Sequence, residues 1–189
     1  MDTLRVCALA LIATSCSTLQ SQYLAAGYDP TSPTAVKRIA VIGWSSSEQP
    51  DLATLLAAVA TDRLKLKSNY LISHSGSARS WSAACDEREG VLFIRALSCS
   101  VVDTDVSLHL VAELYACNTG AMLWRAEAAG AHTSADTDLQ ELSRSYAAQL
   151  GDAVRPWAGP VFILLRDLLD LLPNPILSDD DFLEKIDLG

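Results

Sequence analysis

Five cysteines and three histidines are the residues of this 189-residue chain best suited to chemistry. Cys7 and Cys16 stand near the start, and Cys85, Cys99 and Cys117 follow much later. A zinc site needs Cys or His pairs a few residues apart; neither these cysteines nor His74, His109 and His132 are spaced that way, so no metal and no cofactor is expected. Ser73-His74-Ser75-Gly76-Ser77 places Ser beside His, yet it lacks the Gly-x-Ser-x-Gly turn that exposes a nucleophile. No phosphate loop or dinucleotide fingerprint occurs. With 23 acidic residues, neighbouring carboxylates arise by chance, and none is marked as a buried general acid or base. The expectation is therefore a protein that is not an enzyme. The alternative is an exported hydrolase whose site gathers residues far apart in the chain.

Two uses of cysteine remain, modification and cross-linking. Residues 1–15 carry one basic residue, Arg5, then an apolar run from Val6 to Ala13, then small residues up to Cys16. Charged start, short apolar stretch and small cleavage residues are the order of a secretory signal. The apolar run is far shorter than the ~20 residues that span a bilayer. Ala13-Thr14-Ser15-Cys16 resembles the bacterial lipobox, in which a peptidase cuts before a cysteine that already carries diacylglycerol. Ala13 stands where that motif prefers Leu, and Asp2 offsets Arg5. The resemblance implies an acylated (palmitate-type) Cys16 that ties the chain to a lipid bilayer, each buried methylene contributing ~0.8 kcal/mol. Ser17 after the cysteine matches the enterobacterial signal for the outer membrane, which implies a domain facing the periplasm. The competing reading is a buried N-terminal helix with an incidental cysteine.

Half of the residues are hydrophobic and 20% are charged, the balance of a chain with a real core. A net charge of −9 repels phosphate backbones, so nucleic acid is not expected as a partner. The length suits one globular domain, 35–189, preceded by a flexible Ser/Thr/Gly/Pro-rich linker over 16–34.

The elements that must position any site follow from patterning. Lys37–Trp44 has a β-branched apolar centre suited to a strand buried on both faces. Pro50-Asp51 opens a helix with Leu52, Leu55, Leu56, Val59 and Leu64 on one face, ending near Asn69. Tyr70–Ser73 then forms a second strand, giving a β-α-β unit with parallel strands. His74–Arg88 reads as loop, with one helical turn around Trp81–Cys85. Val91–Val102 and Val106–Cys117 are long strands joined by Asp103-Thr104-Asp105. Folding them about Thr104 sets Arg95 opposite Glu113, Phe93 opposite Tyr115, Cys99 opposite His109 and Cys117 opposite Val91. Asn118-Thr119-Gly120 turns the chain into a third strand, Met122–Ala128, completing an antiparallel three-stranded meander. Asp138–Val154 is a helix ended by Pro156, and Val161–Leu172 is another, with a wide apolar arc that faces either the core or else a partner or membrane. Ser178 caps a short acidic helix, Asp179–Ile186; either solvent or a basic partner balances its charge. The fold class is α/β (α+β): a mixed sheet with an N-terminal β-α-β unit, the meander and C-terminal helices.

Strand 38–44 with its following helix, and the hairpin 119–126 with its Gly-x-x-x-Trp spacing, look like envelope lipoproteins of the group that holds the curli-secretion lipoprotein and the penicillin-binding-protein activators. The ending 171–186, with the Leu-Trp-Arg-Ala strand at 123–126, is similar to a narrower family of uncharacterised lipoproteins of myxobacteria and leptospires. These resemblances imply a lipid-anchored domain with a sheet and flanking helices. They bring no activity.

An exported domain can hold disulfides. With Cys117 opposite Val91, the chain from Cys85 enters the sheet just beside it, which points to a Cys85–Cys117 bridge that leaves Cys99 outside; three reduced cysteines are the alternative. An anchor, a linker and an acidic domain without a catalytic set lead to an envelope lipoprotein that binds or scaffolds an unidentified envelope protein.

Overall fold

In the computed structural model, residues 18–46, 49–86, 88–134 and 136–188 are described. Cys16, and with it the whole expected leader, lies outside the described residues. Strand β2 (Arg38–Trp44) is buried along its centre, as its continuous apolar run requires. It lies between β3 (Leu71–Ser77) and β4 (Gly90–Val102), parallel to both. Helix α1 (Pro50–Lys67) connects β2 to β3 and buries Leu52, Leu55, Leu56, Val59 and Leu64. It packs unusually close to β2: a Cβ on Gly43 would stand 1.9 Å from the carbonyl oxygen of Ala53.

Strands β4, β5 (Asp105–Ala116) and β6 (Met122–Thr133) form the antiparallel meander. A further strand, β1 (Thr18–Leu24), pairs antiparallel with β6, giving the order β1-β6-β5-β4-β2-β3. This corrects the linker expected over 16–34. Its first half is the edge strand, and turns carry the chain on to β2, with the amide of Tyr28 bonded to Ala25 O and that of Ala35 to Ser32 O.

The β4–β5 register also differs from a simple fold about Thr104. Phe93 faces Glu113 and Val91 faces Tyr115, a shift of two residues that keeps every side chain on its expected face. Two causes add. The turn is the two-residue Asp103-Thr104, with Val102 paired to Asp105, and a bulge at Leu97 takes up one more residue of β4. Asp103 adopts φ 54°, a left-handed conformation that Asp tolerates in turns. Beyond the bulge Cys99 faces Leu108, on the core side, instead of His109.

On one sheet face Leu92, Ile94, Leu110 and Leu114 join α1, α2 (Gln140–Leu150) and α3 (Arg155–Leu169) in the main core. The helix expected to run from Asp138 to Val154 is broken at Gly151, whose φ of 101° suits glycine. Pro156 does not end that helix; it sits in the first turn of α3, where its missing N–H costs nothing. The wide apolar arc of α3 is buried through Val161, Leu164, Leu165 and Leu168, so it faces the core.

On the opposite face a smaller cluster of Ala40, Ile42, Val91 and Phe93 is covered by the 3-10 turn Trp81–Ala84. Trp81 stacks on Tyr115 with ring centroids 4.6 Å apart. Strand β3 extends to Ser77, beyond the short strand expected at 70–73.

Gly43→Ala forces a methyl group into the Ala53 carbonyl. Overpacking of this kind costs ~1–3 kcal/mol, and a lower urea midpoint with an unchanged slope is the expected result.

Candidate functional site

The densest polar cluster of the described residues forms where β2 begins. Lys37 and Arg38 are the last charged residues before the apolar strand, so the sheet fixes their backbones while their side chains reach past its end. They meet the C-terminal helix α4 (Asp179–Leu188). Lys37 Nζ lies 2.7 Å from Asp181 Oδ2, with only 10% and 7% of the two side chains exposed. Arg38 Nη2 lies 2.9 Å from Asp181 Oδ1, and Arg38 also pairs with Glu184 and, at 3.0 Å, with Glu89. Glu89 accepts further bonds from the amides of Lys37 and Arg38, at 2.7 and 3.0 Å.

Asp181 serves the helix start as well. Its carboxylate accepts from the Ser178 amide at 3.0 Å and hydroxyl at 2.8 Å, while the Asp181 amide donates to Ser178 Oγ at 3.3 Å. This is a reciprocal capping box. The ammonium of Lys37 and the Ser178 donors hold the Asp181 carboxyl well below the usual carboxylate range. Burial opposes ionisation of Glu89, but the Arg38 and Lys37 amides and the Arg38 guanidinium outweigh it and lower its pKa. The acidic helix expected at 179–186 is therefore more than a solvated tail, because its third Asp is buried in an ion pair of this chain.

That anchoring turns α4 inside out. Asp181 and Lys185 face the domain, and Lys185 donates to the Ser68 carbonyl. Lys65 Nζ caps the far end through Leu188 O at 3.2 Å. The apolar side chains take the other face: Phe182, Leu183 and Ile186 are 58%, 64% and 69% exposed. Their i, i+1, i+4 spacing makes one stripe on the helix. Ile176, also exposed, lies in the strap that leads to α4. The strap is tied down by Asn69, which bonds to Asn174 and Pro175, and by Tyr70 Oη donating to Pro173 O at 2.8 Å.

A cavity of about 980 Å³ opens beside this cluster, lined by Tyr28, Arg88, Asn118 and Ser178 together with Lys37 and Asp181. A second, of about 690 Å³, lies at the far end of β2 near Trp44 and Arg79. No histidine lines either one. His109 bonds to Glu127 at 2.6 Å, in a ladder that continues through Arg125 and Glu113 to Arg95 across the open sheet face. The Arg95–Glu113 contact of 3.1 Å is diagonal in the actual register. His132 is buried, which lowers its pKa. His74 lies exposed on β3. Among the described residues, no group of three or more His, Cys, Asp or Glu side chains could hold a metal ion. The structure joins Cys85 to Cys117, with Cα atoms 5.5 Å apart. The bridge pins the 3-10 turn to the end of β5, and Cys99 lies outside it, packed against the main core.

Sequence patterning identified Ser178 and the acidic first turn of α4 but missed its partners. Lys37 and Arg38 lie about 140 positions away, and no local pattern connects them to the tail.

No family model matches the chain, and no curated protein does. Solved structures of similar form include the PelC dodecamer from Paraburkholderia phytofirmans, 17% identical, covering 76% of this chain and 98% of that one with a TM-score of 0.47. The hypothetical protein CT253 from Chlamydia trachomatis is 12% identical, with coverages of 72% and 95% and a TM-score of 0.46. Lipoprotein GNA1162 from Neisseria meningitidis is 16% identical, with coverages of 60% and 96% and a TM-score of 0.41. Likenesses at this level carry no function across.

Asp181→Ala leaves Lys37 buried without its partner, at a cost of ~3 kcal/mol. Amide exchange in 179–188 should then accelerate about a hundredfold while the sheet stays protected. Because the folded pKa of Asp181 is depressed, its contribution is full above the ordinary carboxylate value of ~3.9 and fades as pH falls below it. Proteolysis of the tail should therefore rise below about pH 4 in the native protein, and this acid response should be absent in the variant.

Proposed function

We propose that this chain is an envelope lipoprotein, held to a membrane by acylated Cys16, that binds a partner protein through α4 and catalyses nothing itself. The carrying observation is the outward apolar row Phe182, Leu183 and Ile186 on a helix whose polar face is locked inward by ion pairs. Exposing these side chains forgoes ~1.5–3 kcal/mol of burial for each, and a rigid amphipathic helix of this kind suits a groove on another protein. Asp179, Asp180 and Asp187 flank the row, so the groove offered by the partner is apolar with a basic rim.

The bilayer that holds Cys16 is the less fitting occupant. Thr18, two residues after Cys16, pairs with Ala129, whereas α4 docks at the opposite end of the sheet, where Arg38 pairs with Leu71 at the β3 edge. Ala129 is level with His109, and strand β5 runs about 24 Å from His109 to Ala116 at the Arg38 end. Acidic flanks also suit an interfacial helix poorly. The lipobox-like run before Cys16 supports the anchor, and Ser17 supports the outer membrane, facing the periplasm. Among the described residues, no helix is long and apolar enough to cross a membrane.

Two measurements test this reading. Labelling with a fatty-acid analogue should mark the wild-type protein and not Cys16→Ala; equal labelling of both rejects the anchor. A photo-cross-linker at Leu183 in intact cells should give one discrete adduct. That adduct should weaken when Asp179 and Asp180 are both changed to Lys, and its partner-side peptide should contain Lys or Arg beside apolar residues. Absence of any adduct from a folded, membrane-bound protein rejects the docking role.

A further inference from the structure

The edge strand β1 removes the spacer between anchor and domain, and this fixes which end of the molecule meets the lipid. Cys16 is two residues from Thr18, so its Cα lies within about 7 Å of the start of a paired strand. Thr18 is in register with Ala129, and the sheet continues past that level to Thr133, paired with Asp105, which is paired in turn with Val102. The β4–β5 turn thus lies at the end of the sheet where β1 begins, reaching about 13 Å beyond Thr18 and offset from β1 by about 10–14 Å, two to three strand spacings.

This end carries apolar side chains that stay exposed among the described residues. Val102 is 67% exposed and Val101 40%. Beside the turn, Ser134 donates to Thr104 O at 2.7 Å. Ser134 also lines a cavity of about 370 Å³ together with Arg144 and Arg155. Arg155 is partly neutralised by Asp152, 2.9 Å away. Asp103 lies in the turn and Asp105 follows it, with Asp136 and Asp138 further along the chain.

We infer that the β4–β5 turn and the Arg144/Arg155 cavity form a membrane-facing surface that seats on zwitterionic phospholipid. This inference rests on the anchor reading of Cys16. Val101 and Val102 enter the headgroup boundary, as short apolar tips do beside a lipid anchor. Arg144 and Arg155 hydrogen-bond phosphate oxygens, and the turn aspartates meet the headgroup ammonium. A zwitterionic headgroup presents both charges, whereas an anionic one offers the aspartates only repulsion. The stance stands the sheet upright and carries α4 to the far end, clear of the lipid.

The test uses the full protein extracted from membranes, with the mass of its N-terminal peptide establishing acylation. An environment-sensitive fluorescent amino acid is placed at Val102 or at Leu183, and each protein is reconstituted into phosphatidylcholine/phosphatidylethanolamine nanodiscs. Emission at 102 should shift to the blue and be quenched by lipids brominated high on the acyl chain, while position 183 should stay aqueous. Arg144→Glu, a surface change, should reduce the quenching at 102 severalfold, as should replacing the zwitterionic lipids with phosphatidylglycerol. An acylated protein with an aqueous signal at 102, or with quenching at 183 instead, overturns the stance and leaves the anchor standing. A chain without acyl groups overturns both.

Discussion

Burial of β2 on both faces is the constraint from which the rest of the molecule follows. A strand with Ile39, Ala40, Val41 and Ile42 almost wholly removed from water needs a cover above and below. Helix α1 supplies one cover, and Gly43 lets it approach closely. The Trp81 turn, tied down by Cys85–Cys117, supplies the other. The strand also needs a neighbour on each edge, which it finds in β3 and β4, both parallel to it. Once β4 is fixed, the meander and β1 extend the sheet in one direction only. The two ends of the sheet then differ in what they can do.

At one end the apolar run of β2 stops at Lys37 and Arg38, and the charge of Lys37 must be satisfied where water is largely excluded, while Arg38 stays partly exposed. Asp181 pairs with both from the tail, at the cost of turning the apolar stripe of α4 outward. An ion pair between side chains this buried is seldom the most stabilising solution available, since two desolvated charges rarely outperform good apolar packing. Its value lies in specifying orientation. If α4 docked by its apolar stripe, Phe182, Leu183 and Ile186 would be hidden and the acidic face presented instead. At the other end, the β4–β5 hairpin overshoots the parallel strands, and Val101 and Val102 at its tip are exposed.

Most of the elements were legible in the sequence because short-range physics governs them. The β-branched run of β2, the leucine stripe of α1 and the turn composition at 103–104 each depend on residues within a few positions. The face assignments in the meander survived a register error of two residues because side-chain direction alternates with period two. Cys99 instead changes its partner from His109 to Leu108, because the Leu97 bulge adds a single residue. The break between α2 and α3 was misplaced because Pro156 looks like a stop signal, although its ring is compatible with the first turn of a helix. The run 18–24 was unreadable as a strand: its apolar residues are few, and β6 supplies the hydrogen bonds that hold it.

By itself, the sequence determined the fold class, the acidic surface, the capping of α4 by Ser178 and the cysteine at the end of the leader-like segment, since each is a property of composition or near-neighbour spacing. The tertiary structure decided what those features do together. It brought Lys37 and Arg38 to Asp181, turned an amphipathic helix outward, and replaced the first half of the expected spacer with an edge strand that begins at Thr18. Contacts across more than a hundred residues depend on how the sheet orders its strands, and no local pattern encodes that order.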